Sequence, residues 1–194
     1  MGLMGKKHSH FFTAETVNAI IWGSLIFFLL GKFTSSPSFI PGVSIGATYA
    51  FLAFLAARYG PAAGFLAGFT GQYLFDIFTS YAPQWEWILP SAILGALIGL
   101  CAGRIRSGAG RGIFGPREML IFNGTQILAN AAVWLLVAPA LGAAIHAEPV
   151  SLVFRRGLME GAANILIVGI AGTVLLYGYT KTIIGGRKTE KTAS

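Results

Sequence analysis

Six apolar segments, each able to close its own backbone hydrogen bonds as a helix, constrain this chain more than any other feature of its sequence. They run from Ala14 to Phe33, Ser44 to Arg58, Pro61 to Thr79, Trp85 to Gly103, Arg117 to Ala138 and Arg155 to Lys181. In lipid every backbone N–H and C=O needs an internal partner, so helices are the only open-ended structure that can cross a bilayer. With 55% hydrophobic and only 11% charged positions over 194 residues, the chain falls far below the roughly one-quarter charge of soluble domains. The expected fold class is therefore all-α: one domain over residues 1–194, a polytopic six-helix transmembrane bundle with no soluble domain left over. The second segment is short, and the sequence reads it either as a short helix or as one extended back through Gly42.

The connections alternate in character. Arg58 to Pro61 is a tight Gly-Pro turn and Gly103 to Pro116 a basic, glycine-rich loop, whereas Thr34 to Val43, Ser80 to Gln84 and Pro139 to Ser151 carry proline, serine and aromatics. Placing both termini inside puts Lys6, Lys7, Arg58, Arg104, Arg106, Arg111, Arg117, Lys181, Arg187, Lys188 and Lys191 in the cytoplasm. Only Lys32, Arg155 and Arg156 then lie outside, a strong positive-inside bias. The net charge of +7 thus reads as topology; no long basic stripe interleaved with aromatics points to nucleic acid. A signal peptide is disfavoured for the first segment, because no small-residue cleavage site directly follows Val17 to Leu30. Cys101, the single cysteine, sits in an apolar run and reads as a small packing residue.

Polar side chains within the apolar segments are few and costly unless they face a partner or a cavity. Asn123, Gln126 and Asn130 share one face of the fifth helix, and Arg156, Glu160 and Asn164 one face of the sixth. The third helix adds Gln72, Tyr73 and Asp76, and the outer loops add Tyr81, Trp85 and Trp87, with Phe33 and Phe39 nearby. Together these residues suggest an outward-opening pocket with aromatic walls and a few convergent polar groups. The alternative is that Arg156 and Glu160 form a structural ion pair while the amides join helix to helix. Small residues at four-residue spacing, such as Gly64 and Gly68 or Gly95 with Gly99 and Gly103, allow close helix packing. No histidine and carboxylate cluster has metal-ligand spacing, and the glycines before Gly115 lack the Walker ending. No metal, catalytic residue or bound cofactor is therefore expected, and energy for uphill movement has to come from elsewhere.

Gly60-Pro61-Ala62-Ala63-Gly64-Phe65, Gly68-Phe69-Thr70-Gly71-Gln72, Asp76 and Trp85-Glu86-Trp87-Ile88 together resemble the S component of energy-coupling factor (ECF) vitamin transporters, in the riboflavin/cobalamin-type subgroup. The first helix, with Ala19-Ile20-Ile21-Trp22-Gly23 and Phe27-Phe28-Leu29-Leu30-Gly31-Lys32-Phe33, is similar to the same group. The resemblance implies a substrate-binding subunit of a prokaryotic cell membrane. Such a subunit captures a vitamin outside and delivers it through a transmembrane coupling subunit (EcfT) driven by two cytoplasmic ATPase subunits. It also implies that Ala19 and Gly23 form an outward docking face, Gly23 replacing the second alanine of the family pattern. Cobalamin is the favoured ligand because the outer loops look roomy and poor in fixed charge, with riboflavin next and queuosine-like precursors possible. A self-sufficient ion-coupled secondary transporter using Asp76 or Glu160 is the main rival, although the chain shows no convincing internal repeat. An intramembrane enzyme would need paired acids or histidines on facing helices.

Overall fold

The computed structural model describes residues 13–37, 44–103, 105, 107 and 112–193. Lys6, Lys7, Phe39, Arg104, Arg106 and Arg111, named above, lie outside them, as do the side chains of Arg187, Lys188 and Lys191. Helix α1 spans Ala14–Thr34; its N-cap, Thr13, accepts the Thr16 amide at 3.2 Å, and Glu15 and Lys32 sit at the ends that suit their charges. α2 (Thr48–Tyr59) and α3 (Pro61–Ser80) are joined through Gly60 alone, whose φ of 98° favours glycine and whose amide closes onto the Ala56 carbonyl at 2.8 Å. Pro61 then opens α3 at a position where no amide is needed. α4 covers Trp85–Cys101. α5 runs over Pro116–His146 and contains a π-helical turn at Val133–Val137. α6 comprises Val150–Ile167, a second π turn at Val168–Gly172, and Thr173–Ala193.

Three departures from the sequence reading have local causes. The second segment is helical only from Thr48, because Ser44–Ile45 pairs in antiparallel fashion with Ser36–Pro37 in a two-residue ladder between α1 and α2. The fifth helix does not stop at Ala138: it passes through Pro139 and continues to His146. Pro139 lacks an amide and crowds the carbonyl a turn before it, and the wider π turn just upstream accommodates both defects. Cys101, expected to pack, is instead exposed at the end of α4.

The tightest seam lies between α3 and α4. A Cβ on Gly68 would stand 2.6 Å from the Ser91 carbonyl oxygen, and one on Gly95 would run into the Gly64 carbonyl, so these backbones touch with no room for a side chain. α1 lies on the other side of α3, with Phe27 packed over Gly71. Trp134 fills the centre: its ring meets Tyr49 edge-on at 5.3 Å, and Tyr49 meets Phe27 at 5.9 Å. Gly157 and Gly161 of α6 press against the backbone and ring of Trp134.

Outside this core the surface is apolar rather than charged, with Ile21, Trp22, Leu120, Leu128, Leu136, Leu166 and Ile170 all exposed. Ala14–Thr34, Pro116–His146 and Val150–Ile184 are each long and apolar enough to cross a membrane. An apolar exterior around small-residue seams is the construction of a membrane helical bundle. The chain direction gives it two distinct ends. One holds the starts of α1, α3 and α5, where Arg58 bridges Glu15 at 2.9 Å and the Tyr179 hydroxyl at 2.6 Å. The other holds the end of α1, the start of α2 and the 80–85 and 146–150 connections, and is called the loop end below.

Candidate ligand site at the loop end

A cavity of about 180 Å³ opens at the loop end between α1, α2, α3, α4 and α6. Its polar wall is built from Thr48 of α2, Gln72 and Asp76 of α3, and Glu160 of α6. Its apolar wall is made of Phe27, Tyr49, Phe75 and Trp87. Ser35, Ser80 and Gln84, at helix ends and in the loops, stand at the rim. The lining helices are held close by glycine contacts, so the side chains converge without loop rearrangement: Gly31 of α1 faces Phe75, and Gly71 of α3 faces Phe27.

The two acids in this wall are only 2% and 3% exposed but are treated differently. Asp76 has a partner on each oxygen: Gln72 Nε2 donates to one at 2.8 Å and the Gln84 amide to the other at 3.0 Å, which ties α3 to the start of α4. Glu160 does not. Asn164 Nδ2 donates to Oε1 at 3.1 Å, while Oε2 has no hydrogen-bond partner among the described residues. Thr48 Oγ1, in the same wall, is likewise buried and unpartnered. Buried polar atoms are nearly always paired, and leaving one bare costs about 1–3 kcal/mol. Both atoms stand on the wall of one cavity, which makes it the candidate site.

Two further hollows share Trp87. One, of about 200 Å³, lies between Trp134, Gly142, Gly157 and Arg156; the other, of about 420 Å³, lies among Pro83, Trp85, Glu86 and Ile145. A salt bridge and a histidine–carboxylate contact bound them: Arg156 Nη1 holds Glu148 at 2.7 Å, and His146 Nε2 meets Glu86 at 3.0 Å. Arg156 is therefore not paired with Glu160, as one reading of the sequence had it.

Of the residues named from sequence, Gln72, Asp76, Trp87 and Glu160 meet around the cavity, and Arg156 lies in the adjoining hollow. Asn164 acts behind Glu160 by fixing its carboxylate. Gln126 and Asn130 are turned elsewhere. Gln126 donates to the Ile165 carbonyl at 3.1 Å, Asn130 donates to the Gln126 side chain at 3.1 Å and accepts from Trp134 Nε1 at 3.1 Å, and neither lines the cavity. Phe33 and Tyr81 point outward at 79% and 89% exposure, Tyr73 is also exposed, and Trp85 belongs to the outer hollow. Gly23 was expected on an outward docking face beside Ala19; it is buried instead, where a Cβ would strike Leu55 and come within 3.5 Å of Ala67. Ala19, one turn earlier, is half-buried.

Sequence reasoning passed over Thr48, Tyr49 and Phe27 as site residues. The signal that could have found the first two was present: they are polar groups opening a helix too short to span a bilayer unaided.

Comparison with known proteins settles the family. The family model described as ECF-type riboflavin transporter, S component, matches residues 12–181. The chain belongs to this S-component family. UPF0397 proteins from Clostridium perfringens are 42% identical to this S component over 170 residues, covering 88% of it and 91% of the relative. One from Lactococcus lactis subsp. cremoris is 41% identical over 160 residues, covering 82% and 87%. One from Staphylococcus aureus is 37% identical over 172 residues, covering 89% and 92%. No solved structure matches the S component. It is thus a substrate-specific component of an ECF-type transporter and a membrane protein, rather than an enzyme.

Proposed function

We propose that this S component crosses a prokaryotic cell membrane six times with both termini in the cytoplasm and captures a vitamin from outside in the loop-end cavity. It then delivers the vitamin through a transmembrane coupling subunit powered by two partner ATPases. The observation that carries the reading is the pair of unpartnered buried oxygens, Glu160 Oε2 and Thr48 Oγ1, on the wall of one aromatic-sided cavity in a chain of this family. The positive-inside distribution supports the orientation, because it puts the cavity end outside.

Size bears on the ligand. The loop-end hollows measure about 180, 200 and 420 Å³, against the ~300–1,000 Å³ of ordinary ligand pockets. None of the three approaches the upper end of that range, which speaks for a ring-sized ligand and against one as large as a corrin with its nucleotide. The geometry therefore favours a ring-sized vitamin, the class of riboflavin named in the family description, over the cobalamin preferred from sequence. Docking on the coupling subunit stays part of the proposal, but Gly23 is too deeply packed to serve as its contact.

The test is calorimetric titration of the detergent-purified chain with riboflavin, cobalamin and other water-soluble vitamins, followed by uptake in vesicles with and without the coupling subunit and ATPases. Submicromolar to micromolar binding of one small vitamin, with uptake only in the complete assembly, is the expected result. Uptake by the chain alone under an ion gradient would instead establish the secondary-transporter alternative.

A further inference from the structure

We propose that the cavity selects a ligand carrying a positively charged nitrogen, which sits at Glu160 Oε2 between aromatic rings, and that it turns anionic ligands away. This deepens the capture reading and rests on it.

Charge is the first argument. The cavity wall holds two carboxylates, Asp76 and Glu160, and no lysine, arginine or histidine among its described residues. The nearest cation along α6, Arg156, is one turn from Glu160, yet its Nη1 is held by Glu148 and it faces the neighbouring hollow, where its Nε is buried without a partner. A buried carboxylate without a counter-ion is costly, and an incoming cation supplies what the protein withholds. Asp76 takes one hydrogen bond on each oxygen, from Gln72 and Gln84, so it is tied to the scaffold while adding its field to the cavity. Glu160 offers one oxygen without a partner, and Asn164 pins the other so that the free one keeps its direction.

Shape is the second argument. Phe27, Tyr49, Phe75 and Trp87 line the same space, and a cation beside ring faces gains attraction from their quadrupoles on top of the carboxylate. Rings alone would suit any flat ligand. Rings together with a bare carboxylate and no competing side-chain cation suit a protonated or quaternary nitrogen heterocycle, whereas a phosphate or carboxylate there would meet two like charges.

The experiment is isothermal titration of the purified full chain with thiamine and choline as cations, riboflavin as a neutral ring and flavin mononucleotide as its anionic counterpart. Thiamine is expected to bind at least about tenfold more tightly than riboflavin, with no heat from flavin mononucleotide. Glu160→Gln should weaken thiamine by about tenfold or more and narrow its gap to riboflavin, with the melting temperature little changed. If the variant fails to fold, the order of the four probes on the natural chain decides. Riboflavin or flavin mononucleotide binding as tightly as both cations overturns the charge selectivity while leaving capture intact. Folded protein that binds none of the four, nor any other vitamin, overturns both.

Discussion

The side-chain amides along α5 and the polar side chains in the wall of the loop-end cavity are all buried or half-buried, yet only one set is closed on itself. On α5, Asn123 donates to the Met119 carbonyl and the Thr173 hydroxyl at 3.0 Å each. Gln126 reaches the Ile165 carbonyl, Asn130 reaches Gln126, and Trp134 reaches Asn130. Each of these donors is answered by a protein acceptor. At the cavity the chain of bonds stops one step short, at Glu160 Oε2 and at Thr48 Oγ1. Buried polarity alone therefore does not mark a site in this molecule. What distinguishes the proposed site is polarity left incomplete, since a satisfied network stiffens the bundle and has nothing left to offer a ligand.

Four substitutions can break or sharpen this contrast. The largest effect belongs to neither region. Gly95→Leu drives a side chain into the Gly64 backbone and should cost more than about 4 kcal/mol, abolishing monodisperse protein on size exclusion and ligand binding with it. Next, Asn130→Leu strips Trp134 Nε1 and the Gln126 side chain of their partner. It should lower stability by about 2–3 kcal/mol in thermal melts, while the folded fraction keeps its ligand affinity within about threefold. An affinity loss larger than the stability loss would place α5 in the site after all. Tyr49→Phe removes the hydroxyl that bonds Ser91 Oγ at 3.0 Å but keeps the ring contacts, for about 1 kcal/mol. The smallest change, Thr48→Val, carries the most telling sign. Replacing an unpartnered hydroxyl by a methyl of similar shape should leave the empty protein equally stable or more stable by up to about 1 kcal/mol, yet weaken ligand several-fold by titration. A stability loss there would mean that Thr48 serves the scaffold.

Much of the scaffold could be read from the residues. The Gly60-Pro61 hairpin, the glycines of α3 and α4 and the shared faces of the α5 and α6 polar stripes follow from spacing and backbone geometry. Direction could not be read in the same way. Four-residue spacing makes Ala19 and Gly23 a flat face without saying whether the neighbour is another subunit or this chain's own Leu55 and Ala67. Likewise, i and i+4 spacing aligns Gln126 with Asn130 but does not say whether they look into a void or at each other. Pro139 read as a stop because a regular α-helix has no place for it; the π turn that makes room is a tertiary accommodation. Phe33 and Tyr81 carried the aromatic character of a binding wall, but they stand at helix ends, where rings also suit a membrane–water boundary.

The brevity of α2 sets how far a ligand has to travel. Its 12 residues amount to ~18 Å of helix, well short of the ~30 Å hydrocarbon layer, and the deficit falls at Thr48 and Tyr49, which line the cavity. In the proposed orientation, with the loop end outside, the vestibule sinks well into the bilayer before any helix moves. On the proposed transport reading, passage into the cell is left with the remaining part of the barrier, and that shorter stretch is what the proposed coupling partners have to open.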